Sequence, residues 1–505
     1  MAYLASPGGL QTPLALLAAT IAFGTLYLVA STLRQYYRLR HIPGPRSAGF
    51  SKWWWFKSER SGRMCMALLD VTEKYGWITR IAPNLLVTSD PDLMKRMLNV
   101  RTGYQRSTWY MGLQIEPGVN HVISTVDDAA HSKRRSKMAA GYSGKEVDGV
   151  EPRVDRNVGA LIKLLDEKYI TPGKPFDFAR KAQFFTLDVI SDISYDEAFG
   201  FLPSDSDMYH YIEESEEGLT TLLLLGLWPG LIRLLQHPLA KPLLPSFDDT
   251  VGFGKVKGIA KEKAAERFGP SKKIRNDMLG SFIKHGLTQE EAEPEIVIQI
   301  MAGSDTTATA IRATMLHVIT NPRVVTALHA ELDARGITSR DEDSIISDAE
   351  ARSLPYLQAI IKEGLRIYPA VAGLMPKVVP PGGDTFKGVH LPEGTWIGYC
   401  AWGVMRRRDV WGDDAAEFRP ERWLEAEPDK LKVMESTLEL TFSYGRWQCL
   451  GKTIAYMELN KLFVELLRRF DFVLLDPANP WRTNHVGVHA QSDLWMKGYK
   501  RERTV

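Results

Sequence analysis

Phe442-Ser443-Tyr444-Gly445-Arg446-Trp447-Gln448-Cys449-Leu450-Gly451 is the stretch on which the reading of this chain turns. It sets one cysteine in a glycine-punctuated loop just before a segment whose apolar residues Ala455, Leu459, Leu462, Phe463, Leu466 and Phe470 recur by threes and fours. That spacing predicts a core-facing helix. A thiol at a helix N-terminus meets unpaired backbone N–H groups and the positive end of the helix dipole, both of which stabilise a thiolate. Gly445 and Gly451 let backbone approach a flat ligand closely. Cys449 is therefore a candidate metal ligand, although a lone cysteine more often packs as a small buried hydrophobe.

Upstream, the long apolar stretch from about Glu291 to Thr320 reads as a helix stopped by Asn321-Pro322. Within it, Ala302-Gly303-Ser304-Asp305-Thr306-Thr307 is small and polar. A glycine inside a helix costs about 1 kcal/mol, and hydroxyls bonding to preceding carbonyls tend to open a helix. Such a spot offers room for small ligands and an acid and an alcohol, Asp305 and Thr306, to pass protons; its plain alternative is a polar patch bonded to its own backbone. A following helix runs to Tyr368-Pro369 and puts Glu363 and Arg366 on one face, a pairing that alone is worth about 0.2–0.5 kcal/mol. Strands are predicted at Trp77–Ile81 and Leu85–Ser89, and short hairpin strands around Pro380-Pro381-Gly382-Gly383 and Pro392-Glu393-Gly394.

The segment 442–451, with phenylalanine seven residues before the cysteine, glycine four before and glycine two after, resembles the haem-binding signature of the cytochrome P450 family. The segment 302–307, Glu363 with Arg366, and Phe418-Arg419-Pro420-Glu421-Arg422-Trp423 resemble three further segments of that family, in its order. The resemblance implies a mainly α fold with small β-sheets over residues 47–505, binding haem b with Cys449 as proximal thiolate ligand. Phe442, Gly445 and Gly451 would border the haem on the cysteine side, and Ala302 and Gly303 on the other. Asp305 and Thr306 would serve oxygen activation, and Glu363, Arg366 and Arg422 would form a buried triad holding the cysteine loop. The sequence departs from the family at Ser443, where glycine is usual, and at Trp447, where arginine or histidine is usual. His131 stands in place of a tryptophan and Lys377 in place of an arginine, so His131, Arg135 and Lys377 are the expected partners of the haem propionates. The closest likeness is to fungal microsomal members of the pisatin demethylase type.

Residues 1–33 contain no charged side chain, and Pro13–Leu33 is almost wholly apolar, about the length a bilayer needs. Arg34, Arg38 and Arg40 follow, so the positive-inside rule predicts a single-pass anchor with the body in the cytosol, on the endoplasmic reticulum. Residues 34–46, with Pro43-Gly44-Pro45, read as a basic, stiff hinge, and 47–505 as one catalytic domain. Cys65, Cys400 and Cys449 are too few for a disulfide framework, and a net charge of +2 gives no pull toward nucleic acid. The run Lys133, Arg134, Arg135, Lys137 is either a solvated face or a docking site for an acidic electron donor. Without a G-x-G-x-x-G fingerprint, electrons must come from another protein; the resemblance implies NADPH-cytochrome P450 reductase, with dioxygen and a lipophilic small molecule as substrates. The expected reaction is monooxygenation in secondary-metabolite biosynthesis. The alternatives are a haem-thiolate isomerase or dehydratase that uses no dioxygen, and a non-enzymatic haem or ligand-binding membrane protein. The stretch Tyr104–Val122, with Trp109, Tyr110 and Met111, and the apolar segment Leu219–Leu235 stand where the resemblance implies substrate walls, their other role being plain core or membrane contact.

Overall fold

The computed structural model describes residues 8–501 apart from 271 and 342. The first seven residues of the expected anchor and the last four of the expected body lie outside the described residues. Helix α1 (Gly8–Arg38) is long and apolar enough to cross a membrane, and its apolar window Ala15–Arg38 is wholly unburied. It continues past the expected boundary at residue 33, and the segment after it is no free hinge. Leu39 and Ile42 are buried in a small core with Ile78, Leu86 and Ile397. The Arg80 guanidinium donates to the carbonyls of Gln35 and Tyr36 at 3.1 and 3.3 Å. The end of α1 is thus fixed to the body by apolar burial just after it and by hydrogen bonds to its carbonyls.

The sheet it rests on contains β1 (Ile78–Ala82), β2 (Leu85–Thr88), β3 (Gln105–Arg106), β4 (Lys377–Val378) and β5 (Trp396–Tyr399), in spatial order β1-β2-β5-β4-β3. β2 and β5 run parallel with Leu85 opposite Trp396; every other pairing is antiparallel. The strand pair β3–β4 sets Arg106 directly opposite Lys377. The expected hairpin after Gly383 is formed by Asp384–Phe386 and Val389–Leu391.

Six helices position the site: α2 (Asp128–Tyr142), α3 (Phe178–Tyr195), α4 (Tyr211–Gly226), α5 (Gln289–Ile319), α6 (Pro355–Ile367) and α7 (Lys452–Leu467). Helix α5 starts at a capping box: the Thr288 hydroxyl accepts from Glu291 N–H at 3.3 Å and the Glu291 carboxylate accepts from Thr288 N–H at 3.1 Å. It packs against α3, α6 and α7 and so forms the spine of the body. The expected opening near Gly303 does not occur, since α5 is unbroken from Gln289 to Ile319. A Cβ on Gly303 would sit 2.8 Å from Ile190 Cγ1, so this glycine also lets α5 and α3 approach closely. Helix α7 buries Leu459, Leu462, Phe463 and Leu466 as expected but stops at Leu467. Phe470 opens the strand Phe470–Leu474, where Phe470 and Phe472 point inward and Asp471 and Val473 outward, the two-residue alternation of a strand.

Glu363, Arg366 and Arg422 meet as anticipated. Arg366 donates to both Glu363 oxygens at 2.8 and 2.7 Å, and Arg422 Nε donates to Glu363 Oε1 at 2.9 Å. Burial opposes ionisation of Glu363, but the two guanidinium groups outweigh it and hold the carboxyl below its ordinary range. The remaining N–H groups of Arg366 bond the carbonyls of Met405, Ala415 and Glu417, and those of Arg422 the carbonyls of Trp411, Asp414 and Glu417. The triad therefore clamps residues 405–422 onto α6. Its link toward Cys449 is indirect: Lys362 on α6 pairs with Glu435 at 2.6 Å, and the helix Pro428–Leu438 leads into the turn Glu439–Phe442. Glu363 keeps Arg366 when Arg422 is lost, but the carbonyls of Trp411 and Asp414 lose their donor, so Arg422→Met is expected to lower stability by about 2–5 kcal/mol. Urea unfolding checks this, a loss below about 1 kcal/mol contradicting it.

Candidate functional site

Among the three cysteines, only Cys449 has an accessible side chain; Cys65 and Cys400 are buried. The Cys65 thiol contacts His485, and burial pushes it up to about 12. Cys400 caps a short helix by accepting Gly403 N–H at 3.2 Å and is pushed up to about 11 by burial. Both are committed thiols. Burial also raises Cys449, but the N–H groups of Gly451 and Lys452 and the charge of Arg135 all favour its thiolate. These N–H groups belong to the start of α7. Arg135 on α2 donates to the Gln448 carbonyl at 2.6 Å, tying α2 to the loop beside the sulfur.

The loop closes through Cys449 N–H donating to Phe442 O at 2.7 Å and Gln448 N–H donating to Gly445 O at 3.2 Å. The Phe442 ring packs on Tyr456, with centroids 5.4 Å apart. Gly445 has φ +63°, and a Cβ there would stand 2.6 Å from the Leu98 carbonyl oxygen, so only glycine fits. Ser443, where glycine is usual in the resemblance, adopts φ +61° and ψ −170°, a region nearly exclusive to glycine. A Cβ on Gly451 would lie 3.9 Å from the Cys449 sulfur, its nearest neighbour.

Beside this loop lies a buried surplus of positive charge. Arg106 and Lys377 oppose one another across β3–β4, and like charges so placed repel. Lys377 Nζ donates to the Tyr110 hydroxyl at 2.6 Å and lies 4.7 Å from the centre of the Trp447 ring. Burial, then Arg106, pushes the Lys377 ammonium well below its ordinary range. His131, 1% exposed, is pushed down to about 3 by burial and by Arg106, Arg135, Arg446 and Lys377. The nearby carboxylate, Asp128, pairs with Arg446 at 2.7 Å. Arg106 Nε, His131 Nδ1 and Trp447 Nε1 are all buried without a hydrogen-bond partner among the described residues. Buried donors and cations left in this state call for an anion. The pair of carboxylates on a haem is such a group, so the residues present fit it. Arg106 escaped the sequence reading because nothing local marks it; its signal is strand pairing with Lys377. Arg135 falls outside this cluster of unpaired groups, since its guanidinium is engaged with the cysteine loop.

The basic run on α2 is not an open docking face. Arg134 pairs with Glu295 at 3.2 Å and Lys137 with Glu291 at 2.6 Å, both acids on α5. Lys133 alone of the four remains exposed. The charges serve to bind α2 to α5.

On α5, Ala302 and Thr306 share a face, and the Thr306 hydroxyl donates to the Ala302 carbonyl at 2.9 Å. Asp305 is held from α3: Gln183 Nε2 donates to Asp305 Oδ1 at 2.6 Å. The other end of that amide accepts from Arg312 Nη2 at 2.6 Å, and Arg312 Nε donates to Ala179 O at 2.9 Å. Burial pushes the Asp305 carboxyl up to about 6, with Arg312 pulling it down and Glu216 adding to the rise. An acid with that value exchanges protons readily near neutral pH. Gln183 and Arg312 were invisible to sequence reading, being joined to Asp305 only by the packing of α3 on α5.

The sequence model of the cytochrome P450 family matches residues 43–494. Similar proteins include the cytochrome P450 monooxygenase ABA1 of Pyricularia oryzae, 40% identical over 496 residues, covering 96% of this chain and 97% of that protein. The cytochrome P450 monooxygenase aba1 of Botryotinia fuckeliana is 38% identical, covering 92% and 93%. The cytochrome P450 monooxygenase abl1 of Leptosphaeria maculans is 35% identical, covering 92% and 84%.

The strained loop gives a test of its own geometry. Ser443→Gly removes the Cβ from a glycine-only conformation and is expected to stabilise the protein by about 1 kcal/mol, whereas Gly445→Ala destabilises it. Thermal unfolding of the two variants checks the opposite signs.

Proposed function

The chain belongs to the cytochrome P450 family and is a haem-thiolate monooxygenase, and from that premise we propose that it places one oxygen atom of dioxygen on a lipophilic small molecule as a tailoring step in secondary-metabolite biosynthesis. The observation that supports the assignment of Cys449 as the ligand is its accessible sulfur at the start of α7, beside buried cations that lack an anion. The two apolar stretches expected to form the substrate walls meet in space: Trp109 packs on Gly226 of α4 so closely that a Cβ there would lie 2.8 Å from its indole nitrogen. That contact favours a hydrophobic substrate.

Haem b, when bound, supplies the redox and oxygen-cleaving chemistry. Cys449 binds it through a thiolate whose charge is shared by the Gly451 and Lys452 N–H groups and by Arg135. Arg106, His131, Lys377 and Trp447 hold its carboxylates. Asp305 keeps Oδ1 on the Gln183 amide and exchanges the proton at its other oxygen, while the Thr306 hydroxyl stands one turn along the same helix from Ala302 to pass it on. Electrons come from NADPH-cytochrome P450 reductase in the same membrane. The charge-free segment 1–33 followed by Arg34, Arg38 and Arg40 supports a body that faces the cytosol on the endoplasmic reticulum.

In vesicles with the reductase and NADPH, lipophilic metabolites that perturb the haem spectrum are expected to yield product containing one atom from ¹⁸O₂. Unlabelled product, or turnover independent of reductase, contradicts monooxygenation by this chain and favours the isomerase alternative. Asp305→Asn is expected to reduce product formation about 10²-fold. It also removes an ionisation that burial disfavours. The native carboxyl is raised to about 6, so its cost to folding is absent below the ordinary carboxylate range and complete above pH 6. The stability gain of Asp305→Asn is therefore expected to grow from about pH 4 to about pH 6 and to stay level from there to pH 7.5, as read by unfolding midpoints.

A further inference from the structure

The β-hairpin Arg482–Val486 and Val488–Ser492 turns at Gly487, whose φ of +89° suits glycine. Its tip is wedged between two other segments. The Gly487 carbonyl accepts the N–H groups of Ala372 and Gly373 at 2.8 and 2.9 Å. A Cβ on Gly487 would lie 2.8 Å from Leu223 Cδ1 of α4, and one on Gly373 3.1 Å from Gly487 Cα. The hairpin also rests on α5, where the Thr309 hydroxyl donates to the His489 carbonyl at 3.3 Å. Ala302, Thr306 and Thr309 are spaced by four and three, so they lie on one helical face. The second strand thus lies on the face of α5 that carries Thr306, and the tip packs against α4, the helix expected to form a substrate wall.

The stem of the hairpin is tied down by a chain of polar groups that takes no part in the chemistry described above. His485, buried, contacts the Cys65 thiol through Nδ1 and the Tyr368 hydroxyl through Nε2 at 2.9 Å, and Tyr368 reaches Thr483 Oγ1 at 3.2 Å. Burial pushes the thiol up to about 12 and the imidazole down to about 4, so both are neutral. The bonds then run one way: S–H to Nδ1, Nε2–H to the tyrosine oxygen, and its O–H to Thr483. His489, its ring 4.4 Å from that of His485, donates Nε2–H to the Pro369 carbonyl at 3.1 Å. Cys65 comes from the helix Met64–Tyr75 and Tyr368 from the end of α6, so the chain ties two distant segments to the first strand of the hairpin, at His485 two residues from Gly487.

We propose that Cys65, His485 and Tyr368 are positioning residues that fix how far the Gly487 tip reaches over the substrate space, and so determine which bulky ligands the site admits. This rests on the reading of the α5 face as the reaction side of the haem. The test uses the haem-loaded enzyme and two nitrogen ligands of iron followed by difference spectra: imidazole, a small ring, and clotrimazole, whose three further aryl rings are bulky enough to probe the tip. Cys65→Ala, His485→Phe and Tyr368→Phe are expected to weaken clotrimazole by about tenfold while imidazole stays within about twofold. Cys65→Ser, which keeps a donor, is expected to restore clotrimazole binding. Unchanged clotrimazole affinity in the variants overturns the proposal, as does a parallel shift of both ligands. Tyr368→Phe removes only a hydroxyl and decides the matter if a larger change prevents folding. Failure of the unmodified enzyme to bind imidazole at iron counts instead against the haem reading itself.

Discussion

A sulfur anion inside a protein survives only where dipoles and charges replace the water it has lost. The start of α7 supplies them to Cys449: two backbone N–H groups that have no partner within the helix, and the Arg135 guanidinium, which also bonds the loop at Gln448. The rest of the architecture follows from keeping this arrangement in place. The loop must turn sharply at Ser443 and Gly445, and α2 must lie close enough for Arg135 to reach.

The buried charges divide into two kinds, and the division separates scaffold from site. Around Glu363, each guanidinium finds carbonyls or the carboxylate, leaving a closed network whose role is to hold residues 405–422. Around Lys377 the cations face one another, and Arg106, His131 and Trp447 each keep a buried nitrogen unpartnered. A protein interior tolerates the first arrangement by itself; it accepts the second only with a bound anion.

Much of this was legible in the sequence wherever the signal was local. The capped α5 and its stop at Asn321-Pro322, the apolar stripe of α7 and the paired Glu363 and Arg366 are written at helical spacing. Local patterns also misled. Phe470 continues the three-four rhythm of α7 yet belongs to a strand, because the chain changes period after Leu467. The basic run on α2 read as surface, but two of its charges are spent on acids of α5. What was illegible is tertiary by nature: Arg106 beside Lys377, Gln183 between Arg312 and Asp305, and Cys65 with His485 are joined only by folding. Ser443 was visible as a departure, but its strain appears only with its backbone angles.

The central claim is that Cys449, and neither of the two buried thiols, holds the iron. The most direct measurement is the absorbance of the reduced protein under carbon monoxide in the unmodified chain and in Cys449→Ala, Cys400→Ala and Cys65→Ala. The red-shifted Soret band of thiolate ligation is expected in the unmodified chain and in the Cys400 and Cys65 variants, and is expected to vanish in Cys449→Ala. A band that survives loss of Cys449, or disappears with Cys400, contradicts the account.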